Sequence, residues 1–166
     1  MTPTLMTPTL KKPVESTKIS FNLAFEPTAI DTNKVTVLAV SPFEEDHLSL
    51  QGIFSHSHWT LFAARNIEEA LACLRKNVIS VMIAECDLRP RSWKDLLDQV
   101  TRMVRPPRLI VTSWHADDRL WLEVLNVGGY DVLPKPFEPR ELFRVVSLAF
   151  RNWKDACERP KAMAAG

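Results

Sequence analysis

Five apolar runs, each followed by a segment of helical character, recur within about 120 residues between Lys34 and Trp153. The runs are Val35–Val40, Trp59–Ala63, Val78–Ala84, Arg108–Thr112 and Tyr130–Leu133. They are rich in branched residues, which suits strands buried on both faces. The intervening segments carry helical spacing and helix punctuation. Leu48, Leu50, Ile53 and Phe54 mark a first helix from Glu44 to about Ser55. Asn66 caps a second over Ile67–Lys76, with Glu68 and Glu69 in its first turn and Arg75 and Lys76 in its last. A third spans Trp93–Met103, a fourth Asp117–Val127 closed by Gly128-Gly129, and a fifth runs from Glu138 to about Trp153. Strands that alternate with helices imply a parallel sheet, and right-handed crossovers place helices on both faces. The expected fold is therefore α/β, a doubly wound (βα)5 sandwich with a five-stranded parallel sheet in the order 2-1-3-4-5.

In such sheets ligands bind outside the C-terminal strand ends. That directs attention to residues 41–47, 85–93, 112–116 and 135–137. The last of these follows Tyr130-Asp131-Val132-Leu133-Pro134-Lys135-Pro136-Phe137, a short strand that aims Lys135 into the crevice.

Residues 1–33 differ from the rest. Met1–Leu5 is repeated as Met6–Leu10, and Thr and Pro at this density oppose both helix and sheet, so residues 1–33 read as a disordered or loosely attached arm. Ile19, Phe21, Leu23 and Phe25 alternate like a strand and give the arm a possible docking role. Residues 34–153 form the domain and 154–166 a C-terminal tail, too short for an output domain.

Composition removes several classes of function. A net charge of +1 offers no basic stripe for nucleic acid. No apolar run is long enough to span a membrane, and the N-terminus lacks a secretory apolar segment. Cys73, Cys86 and Cys157 are odd in number and widely spaced, which fits reduced thiols in a cytoplasmic protein. His56 and His58 form a His-x-His pair without a third ligand, and read as surface residues. His47 and His115 lie in crevice-side segments and read as solvent-exposed. No Gly-rich phosphate loop follows the first strand, only Ser41-Pro42-Phe43-Glu44-Glu45, which disfavours a small flavodoxin-like ligand-binding domain.

The strand order, the Lys-Pro-Phe turn and Thr112 together resemble a response-regulator receiver domain over residues 34–150. The resemblance implies an acceptor aspartate at the end of the third strand, where Glu85 stands. It implies two Mg²⁺-holding acids after the first strand, where Ser41 and Pro42 stand. It implies an aromatic switch residue three positions before the lysine, where Val132 stands. Thr112 and Lys135 match the family pattern. Phosphoryl transfer needs a carboxylate nucleophile, a metal and an orienting cation, and Mg²⁺ needs near-octahedral oxygen ligands. The resemblance therefore implies a degenerate, pseudo-receiver type, with Mg²⁺ binding weak or absent and no enzymatic activity. It would act by contact with other signalling proteins, whether a histidine kinase or an output protein. Glu44, Glu45 and Asp46 read as the first turn of a helix, where acids are favoured without a metal. Glu85 is expected to pair with Lys135, with a cis Lys135–Pro136 bond. An active phosphoacceptor using Asp87 or relocated acids is the alternative. Receivers associate through the face of the fourth helix, fifth strand and fifth helix, which makes Trp121 the interface candidate and a homodimer one outcome.

Overall fold

The computed structural model describes residues 31–159, so the Met-Thr-Pro-Thr-Leu repeat and the strand-like alternation from Ile19 to Phe25 lie outside the described residues. Five strands form one parallel sheet: β1 (Thr36–Val40), β2 (Thr60–Ala64), β3 (Val81–Glu85), β4 (Arg108–Ser113) and β5 (Asp131–Pro134). Their spatial order is 2-1-3-4-5, as the alternation predicts. The helices are α1 (Glu44–Phe54), α2 (Ile67–Lys76), α3 (Trp93–Val100), α4 (Asp118–Asn126) and α5 (Pro139–Glu158).

Side-chain parity divides the core in two. Leu38, Val40, Met82, Ala84, Leu109 and Val111 face α2, α3 and α4. Val37, Ala39, Val81, Ile83, Ile110 and Leu133 face α1 and α5. Alternate residues of a strand must take opposite faces, so these two sets follow directly from the register. β3 lies centrally and is buried along its whole length.

The helix ends follow from their sequences. Asn66 accepts a hydrogen bond from the Glu69 amide at 2.8 Å, and Asp117 accepts one from Leu120 at 2.9 Å. Ser92 and Asp95 form a reciprocal capping box on α3. Gly128 ends α4 with φ of 105°, a backbone region that glycine adopts without strain.

Several boundaries differ from the sequence reading. β2 and β5 each begin one residue later than expected, and α3 ends at Val100 and not Met103. Residues 87–88 and 91–92 form a small antiparallel ribbon between β3 and α3, where the sequence reading placed no strand. α5 continues to Glu158, so the expected tail from residue 154 starts too early. Its apolar stripe explains the extension, because Trp153 is fully buried and Cys157 is still partly covered. The end of the expected arm is also placed. Thr32 donates to Glu158 at 3.1 Å, and Lys154 donates to Asn33 at 2.9 Å.

Candidate functional site

The same parity that builds the core brings the site together. Ile83, Ile110 and Leu133 share the α1/α5 face, and so must Glu85, Thr112 and Lys135 two positions further on. Glu85 is the register neighbour of Thr112, and Thr112 that of Leu133. All three polar side chains are buried at the C-terminal end of the sheet.

Lys135 occupies the centre. Its Nζ lies 2.5 Å from Glu85 Oε1, the contact expected from the sequence, and 3.0 Å from Asp46 Oδ2. A longer contact of 3.2 Å reaches Asp46 Oδ1. Asp46 Oδ2 also accepts the Ser41 hydroxyl at 2.6 Å. Glu85 Oε2 accepts the Asp87 amide at 3.2 Å and faces Cys86 Sγ at 3.5 Å. Each of the four carboxylate oxygens therefore has a donor. Only 1% of the Lys135 side chain is exposed, and 6% of each carboxylate partner. The aromatic rings of Phe43 and Trp114 flank the ammonium, with centroids at 5.1 and 5.5 Å. The Lys135–Pro136 peptide is cis.

Burial pulls the Lys135 ammonium toward the neutral form, but hydrogen bonds and charge from Glu85 and Asp46 overcome it, leaving its pKa raised. For the Cys86 thiol, burial is the largest influence, and its pKa is also raised.

Asp46 is the functional residue that the sequence reading misplaced. Its neighbours behave as expected of a first turn: Glu44 and Glu45 are exposed, and Glu44 pairs with Arg65. Asp46 instead points inward, because it stands one and two turns before the buried Leu50 and Phe54. That i, i+4, i+8 stripe was visible in the sequence and was the available signal. His47 corrects a second expectation. It is only 3% exposed, and its Nε2 donates to the Ser41 carbonyl at 2.8 Å. His47 Nδ1 is buried without a hydrogen-bond partner.

The remaining candidates scatter. Ser41 is in the site as a hydroxyl donor, while Pro42 is exposed beside it. Val132 packs against the core on the α4 side, away from Lys135. Asp87 pairs with Arg89 at 3.0 Å outside the crevice. His56, His58 and His115 are exposed. Trp121 is 43% exposed, and its Nε1 donates to Asp131 Oδ1 at 3.2 Å across the α4–β5 junction. Among the described residues, no three His, Cys, Asp or Glu side chains lie close enough to hold a metal ion. None of the described helices is long and apolar enough to cross a membrane.

The doubly wound sheet in the order 2-1-3-4-5 has counterparts among known proteins. The family model described as the response regulator receiver domain matches residues 44–147, more than half of the chain. The chain belongs to the response regulator receiver family. The Sensory transduction protein LytR of Staphylococcus epidermidis is 27% identical over 84 residues. That alignment covers 51% of this receiver and 32% of LytR, so the receiver corresponds to about a third of that relative's length. The signal receiver domain of an HD domain-containing protein from Pseudomonas fluorescens Pf-5 has a TM-score of 0.70 at 24% identity. The match covers 81% of this chain and 99% of that one. Chemotaxis response regulator CheY4 of Vibrio cholerae has a TM-score of 0.62 at 20% identity, covering 70% of this chain and 98% of its own. At these identities the structural likenesses show the fold.

Proposed function

We propose that this receiver domain is not phosphorylated and acts by constitutive contact with other signalling proteins. The observation that carries this reading is the Lys135 bridge between Asp46 and Glu85. An acceptor carboxylate must present a free oxygen to the phosphodonor, and the transferred group needs a metal and an orienting cation. Here Glu85 Oε1 is held by Lys135, and the remaining oxygens of Glu85 and Asp46 are committed to protein donors. A Mg²⁺ ion would need near-octahedral oxygen ligation, and the two carboxylates available already enclose an ammonium. The residues present do not fit the metal, and binding is expected to be weak or absent.

A fixed crevice implies a fixed surface. The α4–β5–α5 face carries Val132 where an aromatic residue would couple to Thr112, and Val132 is packed against the core. A switch requires a ligand that distinguishes two states, and a sealed ion cluster gives phosphate no purchase. The face around Trp121, Val132 and the start of α5 is then a standing contact surface for a histidine kinase, an output protein or a second copy. The domain itself is no enzyme, and its setting is the cytoplasm.

Incubation with acetyl phosphate and Mg²⁺, followed by intact mass spectrometry, tests the reading. The expected result is no gain of a phosphoryl group. Position favours one competing account. Asp46 is a relocated acid that touches Lys135, as an active phosphoacceptor site would require. A Mg²⁺-dependent phosphoryl gain abolished by Asp46→Asn or Glu85→Gln would establish that account instead. A gain abolished only by Asp87→Ala would place the acceptor outside the cluster.

A further inference from the structure

The α4–β5–α5 face holds an open groove of about 350 Å³ whose lining includes Asp117, Asp118, Trp121, Val132 and Pro134. The lining carries two carboxylates, an indole and apolar surface, with no cation in it. Both aspartates are exposed, and neither forms an ion pair among the described residues. Such a strip asks for an occupant that is apolar at its centre and basic at its edge.

The opposite end of the same molecule carries one. Between α3 and β4 the chain turns through Arg102-Met103-Val104-Arg105-Pro106-Pro107. Val104 is 89% exposed, the most exposed large apolar side chain of the described residues. Arg102 is held by Asp98 at 3.0 Å, but the exposed Arg105 forms no ion pair among the described residues. The turn is fastened on both sides of Val104. The Met103 amide donates to the Val100 carbonyl at 3.0 Å, and the Met103 side chain packs against the core. The Pro106 carbonyl accepts from Arg108 Nη1 at 3.0 Å, and Pro107 is buried. An apolar side chain held out in water on a fixed turn gains by burial and loses little order on binding.

We propose that the α3–β4 turn of a second copy is the occupant, with Val104 seated against Trp121 and Val132 and Arg105 beside Asp117 and Asp118. The proposal rests on reading this face as the standing contact surface, and names what stands on it. A two-fold contact would instead set the face against itself, acids included, and its lining supplies no cation to offset them. The two patches cannot meet within one molecule. The turn precedes β4 at Arg108 and the groove lies beyond its other end at Ser113, about 20 Å away at roughly 3.3 Å per residue. The contact is therefore head to tail, and each copy that fills a neighbour's groove leaves its own groove open to another. Contacts of this kind close into rings or run on as open chains. Assembly then depends on concentration and not on phosphate, and a signalling partner that takes the groove caps the chain.

Sedimentation velocity on the full chain over a concentration series decides the matter, with Val104→Asp to spoil the turn and Trp121→Ala to spoil the groove. Val104 is exposed, so its substitution leaves the fold intact. The wild type should form species larger than a dimer, and each variant alone should associate at least tenfold more weakly. An equimolar mixture of the two variants should recover dimers and stop there, because one intact turn meets one intact groove. A wild type that stays monomeric at every concentration, or stops at a dimer, would overturn the proposal. So would a Val104→Asp protein that associates as the wild type does, or a mixture no more associated than its components. Loss confined to Trp121→Ala would keep the face as a contact surface with another occupant. None of these results alters the mass-spectrometric test of phosphorylation, so the two readings fail separately.

Discussion

Asp46 and Lys135 stand 89 positions apart in the chain and meet at 3.0 Å in the crevice. With Glu85 on the other side, one cation serves two buried carboxylates. Removing a single member of a buried ion pair leaves an uncompensated charge and costs about 3–5 kcal/mol. Lys135→Met should therefore lower stability by about that much in urea unfolding, since both acids lose their partner. The triple variant Asp46→Asn/Glu85→Gln/Lys135→Met should recover most of the loss. A triple variant as unstable as Lys135→Met would show that packing of the lysine stem, and not its charge, holds the crevice.

Restoring the family nucleophile should not restore the reaction. Glu85→Asp shortens the side chain by one methylene, but Asp46 still holds Lys135 and Ser41 still supplies only a hydroxyl. No phosphoryl group should be gained from acetyl phosphate and Mg²⁺. Adding Ser41→Asp supplies the missing acid beside Asp46, and this double variant is the one expected to bind Mg²⁺ measurably by titration calorimetry. Phosphorylation of Glu85→Asp alone would mean that the acceptor is the sole defect.

The cluster also fixes a pH dependence. The folded state holds the Lys135 pKa above its ordinary value. A group raised in this way stabilises fully below its unfolded pKa, about 10.4 for lysine, and the contribution is lost as pH rises through the folded value. The stability difference between the native protein and Lys135→Met should be flat from about pH 7 to 9 and shrink only in stronger alkali. The partly buried thiols, Cys86 among them, also have raised values, so their contribution likewise falls as pH rises. Comparing the two proteins cancels that contribution. A difference that collapses between about pH 7 and 9 would show that Lys135 is not held as a stabilised ammonium.

Much of this arrangement was legible in the sequence. The resemblance to receivers is what singled out Glu85, Thr112 and Lys135 and the Lys135–Glu85 contact, and parity explains why they converge once β3, β4 and β5 are in register. Asp46 was harder to read because a first-turn acid has an ordinary explanation in the helix dipole, which Glu44 and Glu45 satisfy. What separated Asp46 from them was its phase with Leu50 and Phe54. His47 was misread for the same reason, as a residue near a loop whose helical phase points inward. The extension of α5 to Glu158 depended on Trp153, which reads equally well as a helix end or as a buried anchor until the packing is known.

Gly129 offers a backbone prediction. A Cβ there would collide with the Val124 side chain and come within 3.1 Å of the Val124 carbonyl oxygen. Gly128, with φ of 105°, has open space around it but an unfavourable backbone for any other residue. Gly129→Ala should cost about 1–3 kcal/mol through overpacking, and Gly128→Ala should cost about 1 kcal/mol through strain alone. Thermal unfolding would rank them, and equal or reversed losses would mean that the α4–β5 turn relaxes around the added methyl.

Trp121 is the residue on which the contact surface stands or falls. It is exposed enough to touch a partner and held by Asp131 in one orientation, so its ring is presented without a large ordering cost. Aromatic side chains of this kind dominate interface energies, while surface substitutions usually change stability little. Trp121→Ala should leave the circular dichroism spectrum intact and lower thermal stability by only a few degrees. The same variant should weaken self-association, measured by sedentation-velocity centrifugation, or capture of a signalling partner by at least tenfold. If both forms of association survive at native strength, the α4–β5–α5 face is not the surface through which this receiver works.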